Sequence, residues 1–152
     1  MLRKLRECVE SEKGFSLFEL LAVMAIIGIL AGIAVPAFLG EQAKGHDADA
    51  KSNARNVVAA VESCHAETRD YTACDSLVEL DAVDTKPGAE LTDTTAKKQA
   101  AVSVTATADT YTIVGYSKSS NAFSLAKASD GTVTRSCSDP GEGGCRAGEG
   151  VW

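Results

Sequence analysis

The feature that most constrains this chain is an apolar segment, Leu20 to Leu39, which contains no charged or strongly polar residue. About 20 such residues in a helix are enough to cross the hydrocarbon core of a bilayer. Glu19 stands directly before the segment, one helical turn after Phe15. Because an unpaired acid at that depth costs about 2.5 kcal/mol or more, Glu19 is predicted to have a function and a cationic partner. A glutamate that reaches water from the membrane edge is the simpler alternative.

The residues before this segment form a hydrophilic leader, Met1 to Gly14. Its basic residues are Arg3, Lys4, Arg6 and Lys13, and its acidic residues are Glu7, Glu10 and Glu12. A secretory signal has its apolar core before the cleavage point and small residues at it. Here the polar residues come first, so the leader does not have the order of a secretory signal.

The leader and the apolar segment together resemble the prepilin family. The matching residues are Gly14, Phe15, Glu19, Gly28 and Pro36. The resemblance implies that prepilin peptidase cleaves between Gly14 and Phe15 on the cytoplasmic side and methylates the new amine of Phe15. It also implies that Glu19 acts in assembly. It covers roughly the first 40 residues, and the rest of the chain resembles the family in layout alone.

Phe15 to about Ala66 is predicted to form one helix, about 75 Å long at 1.5 Å per residue. After Gly40 its apolar positions narrow to one stripe that is expected to pack on a domain, leaving the excess length as a stalk. The stripe contains Ala43, Ala50, Ala54, Val57, Val61 and Cys64. The charged residues Lys44, Asp47, Lys51, Arg55 and Glu62 are predicted to lie largely elsewhere.

Gly28, Gly32 and Pro36 recur every four residues on one side of this helix. Pro36 cannot donate to the carbonyl of Gly32, and glycine lowers helix propensity, so the segment is predicted to be the weakest part of the helix. The family resemblance implies that it extends when the subunit leaves the lipid. Alternatively, the small residues only allow neighbouring helices to approach closely.

Residues 67 to 100 are predicted to be an irregular loop. Ser76 and Glu79 have the spacing of a capping box for a short helix that packs through Leu77, Leu80 and Val83. Lys86-Pro87-Gly88 indicates a turn.

From Ala101 to Ser136 the apolar residues alternate with polar ones, which predicts a small antiparallel sheet on the helix stripe. The apolar positions are Val102, Val104, Tyr111, Ile113, Gly115, Phe123, Leu125 and Val133. Asp130-Gly131 indicates a two-residue hairpin turn before the last strand. The predicted fold class is α+β: a long helix whose second half packs on the sheet, as in the type IV pilin fold that the resemblance implies.

Five cysteines are present, and Cys8 belongs to the leader. Cys64, Cys74, Cys137 and Cys145 remain, an even number in a domain expected to leave the cytoplasm. Four cysteines allow three pairings, and the short separations favour Cys64 with Cys74 and Cys137 with Cys145. A zinc site is the alternative, but no Cys-x-x-Cys pair is present. The second bridge is expected to close the Gly-rich tail, residues 137 to 152.

Composition excludes some function classes. The net charge of -6 and a pI near 4.9 argue against nucleic-acid binding. We find no catalytic constellation and predict no cofactor and no metal. The tail glycines lack a following helix, and His46 and His65 are too far apart for one metal. Acidic loop residues that calcium could bind lack the spacing of a calcium loop and are as well explained by solvation. They are Asp75, Asp81, Asp84, Asp139 and Glu142.

The leading hypothesis is a structural subunit that polymerises with copies of itself into a type IV pilus. The subunit would wait in the inner membrane as a single-pass protein, be processed by prepilin peptidase and be assembled by pilus or secretion machinery. Alternatives are a pseudopilin of a type II secretion system, a minor pilin, and a signal-anchored binding protein or enzyme. The sequence does not distinguish adhesion, motility and DNA uptake as uses of the filament.

Overall fold

The computed structural model describes residues 14–82, 88–92, 99–148 and 150–152. The leader before Gly14, Val83, Asp84, and Lys86-Pro87 of the predicted turn lie outside the described residues. Contacts divide the chain into two units, the first ending at Leu39 and the second beginning at Gly40. Each unit is described by itself.

One long helix and a sheet make up the fold. Helix α1 spans Leu17–Thr68, a 3-10 turn spans Tyr71–Cys74, and helix α2 spans Leu77–Ala82. The strands are β1 (Val102–Ala106), β2 (Tyr111–Tyr116), β3 (Ala122–Lys127) and β4 (Val133–Cys137). This arrangement confirms the α+β prediction, and α1 begins and ends two residues later than the sequence pattern indicated.

The four strands form one antiparallel sheet in the order β1-β2-β3-β4, which confirms the predicted meander. In register, Val104 faces Ile113, Ile113 faces Leu125, and Leu125 faces Arg135. Successive strand residues point to opposite faces, so the alternating apolar residues share one face of the sheet. Those that are buried are Val102, Val104, Tyr111, Ile113, Phe123 and Leu125.

The second unit has its core between this face and one side of α1. The helix contributes Ala54, Val57, Val61 and Cys64, each fully buried, to the same apolar cluster as Ile113. Ala50 packs with Phe123, Cys145 and Trp152 in a smaller cluster. The predicted stripe is therefore the packed side of the helix, and Ala43 at its beginning is half-buried.

Gly115 sets how closely the helix approaches the sheet. A Cβ at this position would lie 2.5 Å from the carbonyl oxygen of Ala50 and 3.2 Å from the Cβ of Ala54. Only glycine fits there without moving backbone, since real Cβ atoms do not approach an oxygen so closely.

Two predictions about the last strand are wrong. Val133 is 48% exposed, although it lies on the same side of the sheet as Leu125, because it is the first residue of the edge strand. Asp130-Gly131 does not form a two-residue turn. Ala128 and Thr132 still pair, and the three-residue loop between them ends at Gly131 with φ of 83°. A type I turn followed by a left-handed glycine accounts for the extra residue.

The prediction that the helix's charged residues lie largely off the stripe is wrong for Asp47. Asp47 is 2% exposed, and Lys51 and Glu62 are half-buried, whereas Lys44 and Arg55 are exposed. Asp47 continues the stripe in the spacing of four and three between Ala43 and Ala50. The prediction failed for Asp47 because it was based on the polarity of the side chain alone, whereas Ser119 on the sheet side supplies a hydrogen-bond partner.

The loops are tied to the core by two disulfides, Cys64–Cys74 and Cys137–Cys145. The first joins the last turns of α1 to the 3-10 turn, and the second closes the Gly-rich tail. At α2 the predicted capping box is confirmed. The Ser76 backbone N–H donates to the Glu79 carboxylate at 3.2 Å, and the Glu79 N–H donates to the Ser76 hydroxyl at 3.3 Å.

Candidate assembly site

In the first unit, the apolar segment of α1 is exposed on every side. Leu20 is 60% exposed, Ile33 is 74% exposed and Leu39 is 58% exposed. By length and composition this is the one helix among the described residues that is able to cross a membrane. Such a segment must be covered by lipid or by other apolar surface, because water is a poor solvent for it.

Glu19 lies at the beginning of this segment and is held by Ser16. The Ser16 backbone N–H donates to the Glu19 carboxylate at 2.9 Å, and the Glu19 N–H donates to the Ser16 hydroxyl at 3.1 Å. Two of the unpaired N–H groups at the start of α1 are satisfied in this way, and the positive end of the helix dipole faces the carboxylate. The capping box therefore fixes the position of the acid within the first turn.

The three small residues Gly28, Gly32 and Pro36 all lie within α1, which is helical throughout. A Cβ at Gly28 or Gly32 would meet nothing within 4 Å outside the helix's own nearby backbone. Pro36 has no N–H for the carbonyl of Gly32. Low resistance of this segment to extension stays a prediction.

In the second unit, a polar cluster links the helix to the sheet around Glu62. Its carboxylate accepts hydrogen bonds from Lys127 Nζ at 2.7 Å, Tyr71 OH at 2.9 Å and Tyr111 OH at 3.0 Å. Lys127 Nζ also donates to Tyr71 OH at 2.6 Å, and His65 stacks on the Tyr71 ring at 3.8 Å between centroids. Helix α1, the 3-10 turn, β2 and β3 therefore meet at one carboxylate.

The charges of this cluster stabilise one another. Desolvation favours the neutral acid, but the hydrogen bonds from Lys127, Tyr71 and Tyr111 outweigh it and lower the pKa of Glu62. The hydrogen bond to Glu62, followed by that to Tyr71, raises the pKa of Lys127. Burial, reinforced by the hydrogen bond to Glu62, raises the pKa of Tyr111. At neutral pH the pair is charged and both phenols are protonated.

A second set of contacts fixes the closed tail on the helix. Asp47 accepts a hydrogen bond from the Ser119 hydroxyl in the turn between β2 and β3. A Cβ at Gly143 would collide with the Asp47 carboxylate, so the tail passes directly over it. Lys51 Nζ donates to the carbonyl of Gly144 at 2.9 Å. Burial is the main cause that lowers the pKa of Lys51.

The two histidines and the described acidic residues considered for metal binding do not lie at one common place in the second unit. His46 lines a surface cavity of about 220 Å³ with Asp49, Asn53 and Tyr116, while His65 stacks on Tyr71. Within the described ranges, no group of three or more His, Cys, Asp or Glu side chains is placed to hold a metal ion. Asp139 accepts a hydrogen bond from Ser138.

Known proteins resemble this chain, and a family model matches its amino-terminal part. Residues 11–35 match the family model of the prokaryotic N-terminal methylation motif. The type IV narrow pilus major component of Thermus thermophilus is 34% identical over 101 residues, 66% of this chain and 85% of that protein. The chain belongs to the type IV pilin family.

Other type IV pilins match over shorter lengths. The type IV major pilin protein of Myxococcus xanthus is 43% identical over 60 residues, 40% of this chain and 27% of that protein. A type IV major fimbrial protein of Dichelobacter nodosus is 36% identical over 63 residues, 41% of this chain and 40% of that protein. The chain thus spans well under half the length of these two relatives. No solved structure matches it.

Three features of this pilin were missed by sequence reasoning. Ser16 and Glu19 have the same capping-box spacing that identified Ser76 and Glu79, so that signal was available. For Asp47, the available signal was its position four residues after Ala43 and three before Ala50, which places it on the stripe. The cluster of Glu62 with Lys127 left no sequence signal, since its members are far apart in the chain.

Proposed function

We propose that this pilin is the structural subunit of a type IV pilus. It is cleaved between Gly14 and Phe15 by prepilin peptidase and methylated on the Phe15 amine, and it waits in the inner membrane until assembly. The filament is then built from copies of the chain and is extracellular. The role is structural and not enzymatic.

The observation that carries this proposal is the apolar segment of α1, which is exposed on all sides and ends where the packed second unit begins. Such a helix can be covered by lipid before assembly and by the same helix of neighbouring copies afterwards. Head-to-tail contacts whose rotation does not close produce a helical filament. The methylation motif at residues 11–35 supports processing at the Gly14–Phe15 bond.

Glu19 is the residue that sets the register of each added subunit in this proposal. Cleavage creates an amine at Phe15, and the amine of an arriving subunit meets the Glu19 carboxylate of a subunit already in the bundle. Little water is present there to screen the pair, so the attraction between amine and carboxylate is strong. An amine or carboxylate left unpaired in the bundle raises the free energy of the assembled state. The capping box with Ser16 holds the carboxylate for this contact.

Intact-mass measurement on fibres sheared from the cell surface tests the processing. We expect the mass of residues 15 to 152 with one added methyl group and two disulfides. Fibres that retain the first residues, or the full chain recovered only as an unassembled soluble molecule, would contradict the proposal.

Glu19→Ala tests the assembly step. We expect the variant to be cleaved and inserted in the membrane like the unaltered chain while sheared fibres are strongly depleted. Glu41→Ala is the matched control, because Glu41 is an exposed helix glutamate beyond the apolar segment, paired with Lys44 at 2.7 Å. Normal fibre yield from Glu19→Ala would refute the pairing.

A further inference from the structure

Three cations converge on Trp152 at the surface of the second unit. The guanidinium carbon of Arg55 lies 5.0 Å from the centre of the indole, that of Arg135 lies 5.5 Å away, and Lys51 Nζ lies 5.7 Å away. Lys51 also lies 4.6 Å from the centre of the Phe123 ring. We name Lys51, Arg55, Arg135 and Trp152 the basic patch.

Two of the three cations of the basic patch have no ion-pair partner among the described residues, while the third, Lys51, is attracted to Asp47 of its own helix. Arg55 and Arg135 are exposed, and neither forms an ion pair with any residue in the described ranges. The indole face attracts each cation but does not remove the repulsion between them. On a chain with a net charge of -6, two arginines and Lys51 around one indole form a positive surface that fits an anionic partner.

An opposite imbalance exists near the carboxyl end of α1. Asp75 and Glu79 approach each other, with the Asp75 backbone N–H donating to the Glu79 carboxylate at 3.2 Å. Neither residue forms an ion pair within the part of the chain that the structure describes. Burial together with the neighbouring Glu79 raises the pKa of Asp75, as expected for adjacent acids without a cation. We name Asp75 and Glu79 the acidic patch.

The two patches are too far apart to neutralise each other within one chain. From Arg55, the patch residue on the helix nearest to Cys64, the helix rises about 14 Å to Cys64, and the Cys64–Cys74 disulfide holds the residue before Asp75 at that end. Charges at the surface are screened beyond about 8 Å at physiological ionic strength. Among the described residues, no side chain of the same chain pairs with the two arginines or with the acidic patch, so both surfaces are open to a partner.

We propose that the basic patch is a docking surface for the acidic patch of a second copy of this chain. One surface of each copy faces a different surface of the next, which is the head-to-tail kind of contact that extends a filament. In every interior copy the two carboxylates of the acidic patch would face the two arginines of the basic patch, and charge pairing contributes register and specificity to the contact. This inference rests on the proposed filament, whose apolar helices supply most of the affinity.

Charge exchange tests the docking in the full chain. Arg55→Asp and Asp75→Arg are each expected to reduce the yield of sheared fibres roughly fivefold, the effect of losing about 1 kcal/mol per contact. The double variant is expected to recover most of the yield, because the pair is re-formed with its signs exchanged. Lys118→Asp, an exposed cation outside both patches, makes the same charge change as the control and is expected to leave the yield unchanged.

Immunoblots of the membrane fraction separate docking from folding and processing. All variants must show the cleaved subunit in the membrane at the level of the unaltered chain. Because Asp75 and Arg55 are exposed, neither substitution removes a core contact. If Glu19→Ala abolishes fibres while the Arg55 and Asp75 variants assemble normally, the filament stands and this docking is wrong. If the unaltered chain forms no fibres, the filament proposal itself has failed.

Cross-linking gives a direct measurement. In fibres of Arg55→Lys, which keeps the charge and adds a reactive amine, a carbodiimide is expected to join residue 55 to Asp75 or Glu79 in a dimer-sized product. Peptide mass analysis identifies the joined residues. Cross-links from residue 55 to other carboxylates only, or recovery absent from the double exchange, would overturn the proposed contact and point to another anionic partner for the basic patch.

Discussion

The Glu62 carboxylate on α1 and the Lys127 ammonium at the end of β3 are 2.7 Å apart, and Tyr71 and Tyr111 donate to the same carboxylate. The pair joins the helix to the sheet at the end of the unit that carries the Cys64–Cys74 disulfide. It also makes the stability of the second unit dependent on pH.

The pKa of Glu62 is lowered in the folded chain from its ordinary value of 4.5. Its stabilising contribution is therefore complete above pH 4.5 and is lost as pH falls through the lowered folded pKa. We expect Glu62→Gln to reduce stability at pH 7 by about 1 kcal/mol, a value kept small because the side chain is partly exposed. Below pH 4.5, the stability of the variant should also fall less steeply with decreasing pH than that of the unaltered chain.

Thermal unfolding of the detergent-solubilised mature chain, followed by circular dichroism from pH 3 to pH 7, measures this effect. Glu67→Gln removes an exposed glutamate from the same helix and is the control. Parallel pH profiles for the two variants would contradict the assigned role of Glu62.

Asp47 is buried and accepts a hydrogen bond from Ser119. Removing either Asp47 or the Ser119 hydroxyl leaves the other polar group buried without its hydrogen-bond partner, at a cost of about 1 to 3 kcal/mol in stability. We expect Asp47→Ala to lower the thermal midpoint of the second unit and to loosen the tail that passes over the carboxylate. Asp49→Ala, at an exposed position of the same helix, is the control.

A double-mutant cycle with Ser119→Ala identifies the interaction. We expect a coupling free energy of about 1 kcal/mol between the two substitutions. Additive effects would show that Asp47 stabilises the fold without this bond.

Gly115 is expected to tolerate no side chain. A methyl group there would meet the Ala50 carbonyl at 2.5 Å, so Gly115→Ala should separate helix and sheet and destabilise the unit by about 1 to 3 kcal/mol. Gly45→Ala, in the same unit with nothing within 4 Å of its Cβ outside the helix's own nearby backbone, should instead stabilise by about 0.5 to 1 kcal/mol through helix propensity. Denaturant unfolding compares the pair, and a neutral Gly115→Ala would show that the sheet can move.

Ser16 is expected to act through Glu19. Ser16→Ala removes the hydroxyl that caps the Glu19 N–H, at a cost of about 1 kcal/mol, so the carboxylate is held less firmly and fibre yield should fall severalfold. Ser16→Thr keeps the hydroxyl and should assemble normally. The mass of the membrane-bound subunit must show normal cleavage in both. Equal fibre yields from the alanine and threonine variants would contradict this role.

The amino-acid sequence by itself determined the parts of this pilin that depend on neighbours along the chain. The apolar segment, the helix stripe from Ala50 to Cys64, the alternating strands and the Ser76–Glu79 capping box are local patterns, and each has one dominant structural solution. The resemblance at Gly14, Phe15 and Glu19 is equally local, because these residues lie within two helical turns of one another, and it therefore indicates the family without any long-range contact.

Only the tertiary structure decided the surroundings of the polar residues. Asp47 was predicted to lie off the packed stripe with the other charged residues, yet it is buried, and Ser119 supplies a hydrogen-bond partner from the sheet side. Glu62 and Lys127 are 65 positions apart, and Val133 is exposed because its strand lies at the edge of the sheet. The burial of a polar or apolar side chain depends on which distant segment covers it, and periodicity along one element does not encode that.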